Sequence, residues 1–452
     1  MRLTSYFDIK YLTGIYTDNL SNAKAKGIDK LNSIADVKSV SRIIKNKVLS
    51  NTYHFTPYLE ILKLKGRNKI PRVISIPTIR DRIVLISLKE LLHDAFPECI
   101  NNKLPNKYIR EIKEYLSTPD VHFLKLDIKH FYDTINRELL LEKLAKKIKN
   151  KAIIDLIEKA ISTPSVPNHT STSAYNKYKT MEGIPQGLSI SNILAQIYLY
   201  NFDQLINKRK YFYRRYVDDI LVLNEGEISN YKYVNLQKAL ANIHLKVNDE
   251  KYAQGHISQG FTFLSYKIKE NGISIADNNI QIFLRRIAGK FTWFKNGYRD
   301  KNKRPEWITT DRRFKEVFME ELNESITGII SLKRNYGWLF YFSEMDDKAL
   351  LFKLDKIIQS FFIKMKEFEH KVPPNLKKLT RAYYVIKFEK NKNYISNYDV
   401  YDTIRQKRKF LVFRGWINST IQYSDKAIET LFNKYIARQI KNVEQDIGYG
   451  YF

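Results

Sequence analysis

A single cysteine in 452 residues, Cys99, excludes an intramolecular disulfide and any zinc site built from paired cysteines. Long apolar runs are also missing: none approaches the roughly 20 residues of a bilayer-spanning helix, and no apolar stretch follows Met1 in the manner of an export signal. A reducing, cytoplasmic setting without a membrane partner is therefore expected. Acidic residues are scarce beside basic ones, 48 against 77, which leaves a formal charge of +29. An excess of that size on a folded chain points to a polyanionic partner through counterion release. Internal repeats and low-complexity tracts are absent from the sequence.

What is present belongs to a globular protein large enough for two or three cores, with 44% hydrophobic and 28% charged residues. The 31 tyrosines and 25 phenylalanines offer stacking surfaces for bases. "PRVISIP" reads as a short strand behind the basic loop "KLKGRNK", and "DRIVLISLKELLHDAF" carries apolar residues at helical spacing. In "VHFLKLDIKHFYDTINRELLLEKLAKKIKN" the period changes. Leu124, Leu126 and Ile128 alternate with Phe123, Lys125 and Asp127, so a strand buries the first set and turns Asp127 to its other face. Asn136 then caps a helix striped with Leu139, Leu140 and Leu144.

Residues 162–180 read as a polar connecting loop, and "MEGIPQGLSISNILAQIYLYNFDQLI" as a tight turn entering a long helix. "YFYRRYVDDILVL" places Asp218 and Asp219 at a hairpin tip, a helix follows over about 231–244, and "HISQGFTFLSYKIKENGISI" reads as a hairpin turning at Asn271-Gly272. The order strand, helix, helix, hairpin, helix, hairpin predicts an α+β sheet with helices on one face. If the strand of Asp127 neighbours the hairpin of Asp218 and Asp219, three carboxylates meet at one sheet edge. That is more negative charge than stands without hard divalent cations, and two Mg2+ fit the need. Beyond 276 the apolar steps of three and four residues predict helices, broken at "KVPPN".

Taken in order, "KGIDK", "KGRNKIPRVISIPTIRDRIV", "FLKLDIKHFYDTI", "GIPQGLSISNILAQIYL", "RRYVDDILVL", "LKVNDEKYAQG" and "GFTFLSYKI" resemble the blocks of reverse transcriptases, over most of residues 20–345. The resemblance implies a right-hand polymerase fold. An N-terminal extension and fingers would occupy 1–115, a palm 116–275 with a fingers-side insertion near 150–182, a helical thumb 276–370 and a C-terminal extension 371–452. It implies that Asp127, Asp218 and Asp219, with the backbone carbonyl of Ile128, hold two Mg2+. Lys65 and Arg72 would hold the incoming deoxynucleoside triphosphate, Gln186 its sugar and base, and Lys251 would give a proton to pyrophosphate. Tyr132 would reject ribonucleotides, with Phe131 as the alternative gate. Phe263, Leu264, Ser265 and Tyr266 would grip the primer, and Lys301, Lys303 and Arg304 would meet the phosphate backbone.

"SLKRNYGWLFYFS" resembles the thumb of group II intron enzymes, whereas Leu188 stands where those enzymes carry a glycine and "LSISN" replaces their Ser-Pro run. That form resembles the defence-associated lineage. The implied activity is RNA-directed DNA synthesis on a dedicated noncoding RNA, passing through an RNA/DNA duplex, in antiviral defence. A retron-type or domesticated intron enzyme is the alternative of the same chemistry, and an RNA-binding scaffold with a lapsed site the alternative of another class. Interleaved aromatic and basic residues over 381–416 read either as an RNA-stacking surface or as an ordinary core with a basic face. Tyr449 and Tyr451 make protein priming an alternative to an RNA 3′-hydroxyl.

Overall fold

The computed structural model describes residues 3–445 except 22, 24, 65–70 and 210. Contacts in space divide it into two units, Met1–Lys103 with Pro119–His256, and Leu104–Thr118 with Ile257–Phe452. The division falls at His256, inside the stretch 116–275 read as a palm, and residues 276–452 lie in one unit. Among the described residues no helix is long and apolar enough to cross a membrane.

In the first unit, β1 (Tyr58–Lys63) and β2 (Arg72–Ile76) pair antiparallel, Lys63 opposite Arg72. Thr78 starts the helix Ile79–Ala95, its hydroxyl accepting from the Asp81 amide. Asp81 in turn accepts from the Tyr53 hydroxyl at 2.7 Å and the Thr56 amide at 3.0 Å, so a fully buried carboxylate is supplied with donors and ties this helix to the β1 approach. β3 (Val121–Asp127) leads into the helix Arg137–Lys147, capped by Asn136 as the sequence predicts. Within the loop expected over 162–180, β4 (Ser165–Val166) adds in parallel to β1.

The helix Ser191–Asn207 precedes β5 (Phe212–Tyr216) and β6 (Asp219–Glu225); the helix Asn230–Ala241 precedes β7 (Ala253–His256). These strands form an antiparallel sheet in the order β5-β6-β3-β7. Leu124 and Leu126 of β3 and Ile220 and Val222 of β6 join Leu194, Tyr198 and Phe202 of the helix Ser191–Asn207 in one core. Burying such side chains contributes about 1.5–3 kcal/mol each. This is the α+β sheet with a helical face that the order of elements predicts.

In the second unit, β8 (Phe261–Phe263), β9 (Tyr266–Lys269) and β10 (Gly272–Ile275) form a meander. Lys269 opposes Gly272, so the second turn is Glu270-Asn271, one residue before the expected position. The first turn, Leu264-Ser265, has positive φ at both residues, +48° and +64°, with neither glycine nor asparagine to announce it. Helices Asp277–Arg299, Asp311–Thr327 and Lys348–Ile363 pack through Phe291, Phe294, Phe318 and Phe362; the Phe294 and Phe318 rings stand 4.5 Å apart. Tyr398 and Phe410, inside the stretch read as a stacking surface, are buried with Phe432 and Tyr435. Tyr384 and Phe388 are the exposed aromatics there, their rings 5.2 Å apart.

Candidate active site

The sheet brings the three acidic residues to one end. β3 and β6 pair so that Asp127 lies directly opposite Asp219, and both are buried. Asp218 occupies the two-residue turn Val217-Asp218 between β5 and β6, and its carbonyl accepts from the Ile128 amide at 3.1 Å. Val217 takes φ +55°, a costly conformation for a β-branched residue that persists only where the surroundings enforce it. The enforcement is visible. Arg215 donates to the Val217 carbonyl at 2.7 Å, to Gln196 at 2.7 Å, and through two nitrogens to Asp203 at 2.8 and 2.5 Å. Arg215 thereby anchors the turn to the helix Ser191–Asn207 with a planar, nearly buried fork.

Burial, then the charges of Asp219 and Asp127, push the Asp218 carboxyl up to about 6. Asp127 is held from the turn before β7: Lys251 donates to Oδ1 at 2.8 Å and Asn248 to Oδ2 at 3.1 Å. Burial alone would depress the Lys251 ammonium, but its bond to Asp127 and the charges of all three aspartates outweigh this and raise it. Two buried carboxylates and a third that ionises reluctantly form a hard-oxygen donor set short of positive charge, which fits divalent cations.

Gln186, Tyr132 and Arg72 are further expected residues of the first unit among the described ones. Gln186 sits in a turn docked on β2, its carbonyl accepting from the Ser75 amide at 2.7 Å and its side chain donating to Asp133 at 3.3 Å. Gly187, at φ +107°, is required there: a Cβ would lie 2.9 Å from the Ser75 carbonyl oxygen. Tyr132 is half-buried and its carbonyl accepts from the Ile184 amide at 2.8 Å, whereas Phe131 is buried in the core. Burial first, then the Asp218 charge, pushes the Tyr132 phenol up to about 12, with Arg72 pulling the other way. Arg72 itself is exposed on β2. Lys65, Tyr449 and Tyr451 lie outside the described residues.

In the second unit the expected primer-grip residues form the β8–β9 turn, with Phe263, Leu264 and Tyr266 fully buried. Lys301 and Lys303 are exposed, but Arg304 is not the surface contact expected of it. Its Nη2 pairs with Asp311 at 2.5 Å, its Nε donates to the Gly297 carbonyl at 2.6 Å, and its guanidinium lies 4.8 Å from the Phe314 ring centre. It joins two helices instead of facing solvent. Sequence reasoning passed over Arg215, Asp203, Gln196 and Asn248. The doubled arginine before "YVDD" is the one local signal for the first of them; the rest act across the fold and leave no pattern.

Residues 63–268 match the reverse transcriptase (RNA-dependent DNA polymerase) family. This stretch is similar to reverse transcriptase domains. Its architecture is that of the right-hand polymerases, and the domain and its relatives support RNA-directed DNA polymerase activity. The chain is 22% identical over 297 residues to Protein YkfC of Escherichia coli, covering 54% of this chain and 76% of that one. It is 27% identical over 235 residues to the group II intron-encoded protein LtrA of Lactococcus lactis, covering 49% of this chain but 37% of LtrA. A telomerase structure from Candida tropicalis, in complex with a fragment of telomeric RNA, aligns over 90% of this chain and 68% of that one, with 14% identity and a TM-score of 0.41, too distant to carry an argument.

Proposed function

We propose that the chain is a nucleotidyltransferase that copies a dedicated noncoding RNA into DNA from deoxynucleoside triphosphates, in antiviral defence. The observation that carries the polymerase reading is the meeting of Asp127, Asp218 and Asp219 at one sheet end, beside Tyr132 and the Gln186 turn. The three carboxylates and the Ile128 carbonyl would hold two Mg2+; when bound, these supply the charge that acidifies a primer 3′-hydroxyl and stabilises the departing pyrophosphate. Asn248 and Lys251 orient the Asp127 carboxylate for that role. Lys251, kept protonated by its surroundings, has a proton for pyrophosphate once its bond to Asp127 is released. Arg72 meets the triphosphate, Gln186 orients the nucleotide, and the Tyr132 ring closes the space a 2′-hydroxyl would need.

Leu188 and the "LSISN" run are what favour a defence enzyme over a mobile intron, while the likeness to LtrA favours the intron-type reading. The purified chain should incorporate deoxynucleotides with Mg2+, and Asp218→Ala should abolish this. Sequencing the RNA that copurifies separates the readings: a short discrete RNA supports the first, intron RNA the second. Failure on every template, copurified RNA included, would leave only an RNA-binding scaffold.

A further inference from the structure

At the end of β3 remote from Asp127 lies a second cluster. β3 and β7 pair so that His122 stands directly opposite His256, with ring centres 5.1 Å apart. Just before β3, Asp120 takes φ +50°, and its carbonyl accepts from the Gly226 amide at 2.8 Å. This bend sets Asp120 Oδ1 3.2 Å from His122 Nε2 and 3.7 Å from His256 Nε2. One ligand atom from each residue lies within 4.8 Å of the others. In a tetrahedral zinc site, bonds of about 2.0–2.2 Å place ligand atoms roughly 3.3 Å apart. The separations of 3.2 and 3.7 Å bracket that value.

We infer that Asp120, His122 and His256 form a binding site for a transition-metal ion, Zn2+ or one of like preference, distinct from the carboxylates of the catalytic end. Two imidazoles select such an ion over Mg2+, which takes oxygen ligands in octahedral array. The sites are separate in space: seven-residue β3 carries His122 near one end and Asp127 at the other, about 16 Å apart at a rise of about 3.3 Å per residue. The Asp120 carboxylate is 62% exposed, so the ion's remaining position opens to water. β7 is an edge strand of four residues, and the turn before it supplies Asn248 and Lys251 to Asp127. An ion bridging His122 and His256 clamps the far end of that strand to β3.

The test is calorimetric titration of the full chain, stripped with EDTA, with Zn2+ in excess Mg2+, alongside the absorption of the Co2+ form. One ion per chain and the intense visible bands of four-coordinate Co2+ are expected. The double variant His122→Gln with His256→Gln should bind Zn2+ about a hundredfold or more weakly, since losing even an outer-shell partner costs 10- to 100-fold. The exposed single change Asp120→Ala should weaken binding too, and serves if the double variant does not fold. Asp127→Asn with Asp218→Asn should leave the Zn2+ affinity unchanged while ending polymerase activity, so this site and the catalytic one fail separately. Undiminished affinity in the histidine variant or in Asp120→Ala, loss in the aspartate pair, or no uptake of Zn2+ at all would overturn the inference.

Discussion

Asp218 is the residue whose titration reports on the site. The folded chain holds its proton more tightly than the unfolded chain does, so between its ordinary 3.8 and about 6 the native state binds more protons and stability falls as pH rises. Above that window the ionised group costs the ion-free protein roughly 3 kcal/mol. Asp218→Asn, expected to be inactive as a polymerase, should therefore melt a few degrees higher than the parent in EDTA at pH 8. At pH 4.5 the difference should shrink. Mg2+ should narrow the gap by stabilising the parent more, and differential scanning fluorimetry reads all three. Tyr132 supplies a second expectation. Because Phe131 is packed in the core and Tyr132 is the ring beside Asp218, Tyr132→Val should raise ribonucleotide incorporation and leave deoxynucleotide use largely intact. Unchanged selectivity in a competition assay would remove Tyr132 from that role.

At the scale of elements, the strained Val217-Asp218 turn depends on a support one helix away. Asp203→Ala removes the carboxylate that Arg215, whose side chain is 6% exposed, grips through two nitrogens. Breaking a buried ion pair by removing one partner costs about 3–5 kcal/mol, to be read from urea melts, and incorporation should fall with it as the turn relaxes. The elements of this region were the legible ones: alternation revealed β3, the paired aspartates marked the β5–β6 turn, and Asn136 announced its helix. β4 was hidden because two residues joining β1 in parallel depend on a partner far along the chain. The Leu264-Ser265 turn was hidden because its positive φ falls on residues that carry no turn signature. Within 381–416, spacing could not separate stacking surface from core. Tyr398 and Phe410 proved to be core, Tyr384 and Phe388 surface, and that division is made by elements the local sequence does not name.

For the molecule as a whole, a charge of +29 makes salt the principal control on nucleic-acid binding. If six to ten phosphates are neutralised, raising salt from 50 to 200 mM should weaken RNA binding by about 10³–10⁵. Filter binding over a salt series gives the slope. Lys301→Ala with Lys303→Ala should flatten it slightly, while Arg304→Ala should chiefly lower stability, its guanidinium being packed against Phe314. The lone thiol carries a different consequence. Cys99 is buried, and that burial, with Glu98 beside it, pushes its thiol up to about 12. The native chain should ignore Ellman's reagent and release one equivalent of chromophore only in guanidinium. Its outside is thus chemically blank toward maleimides, and a cysteine introduced at an exposed position becomes a unique attachment point. Two such positions, one in each unit, would carry a dye pair for following the enzyme along a template without first removing anything from the parent sequence.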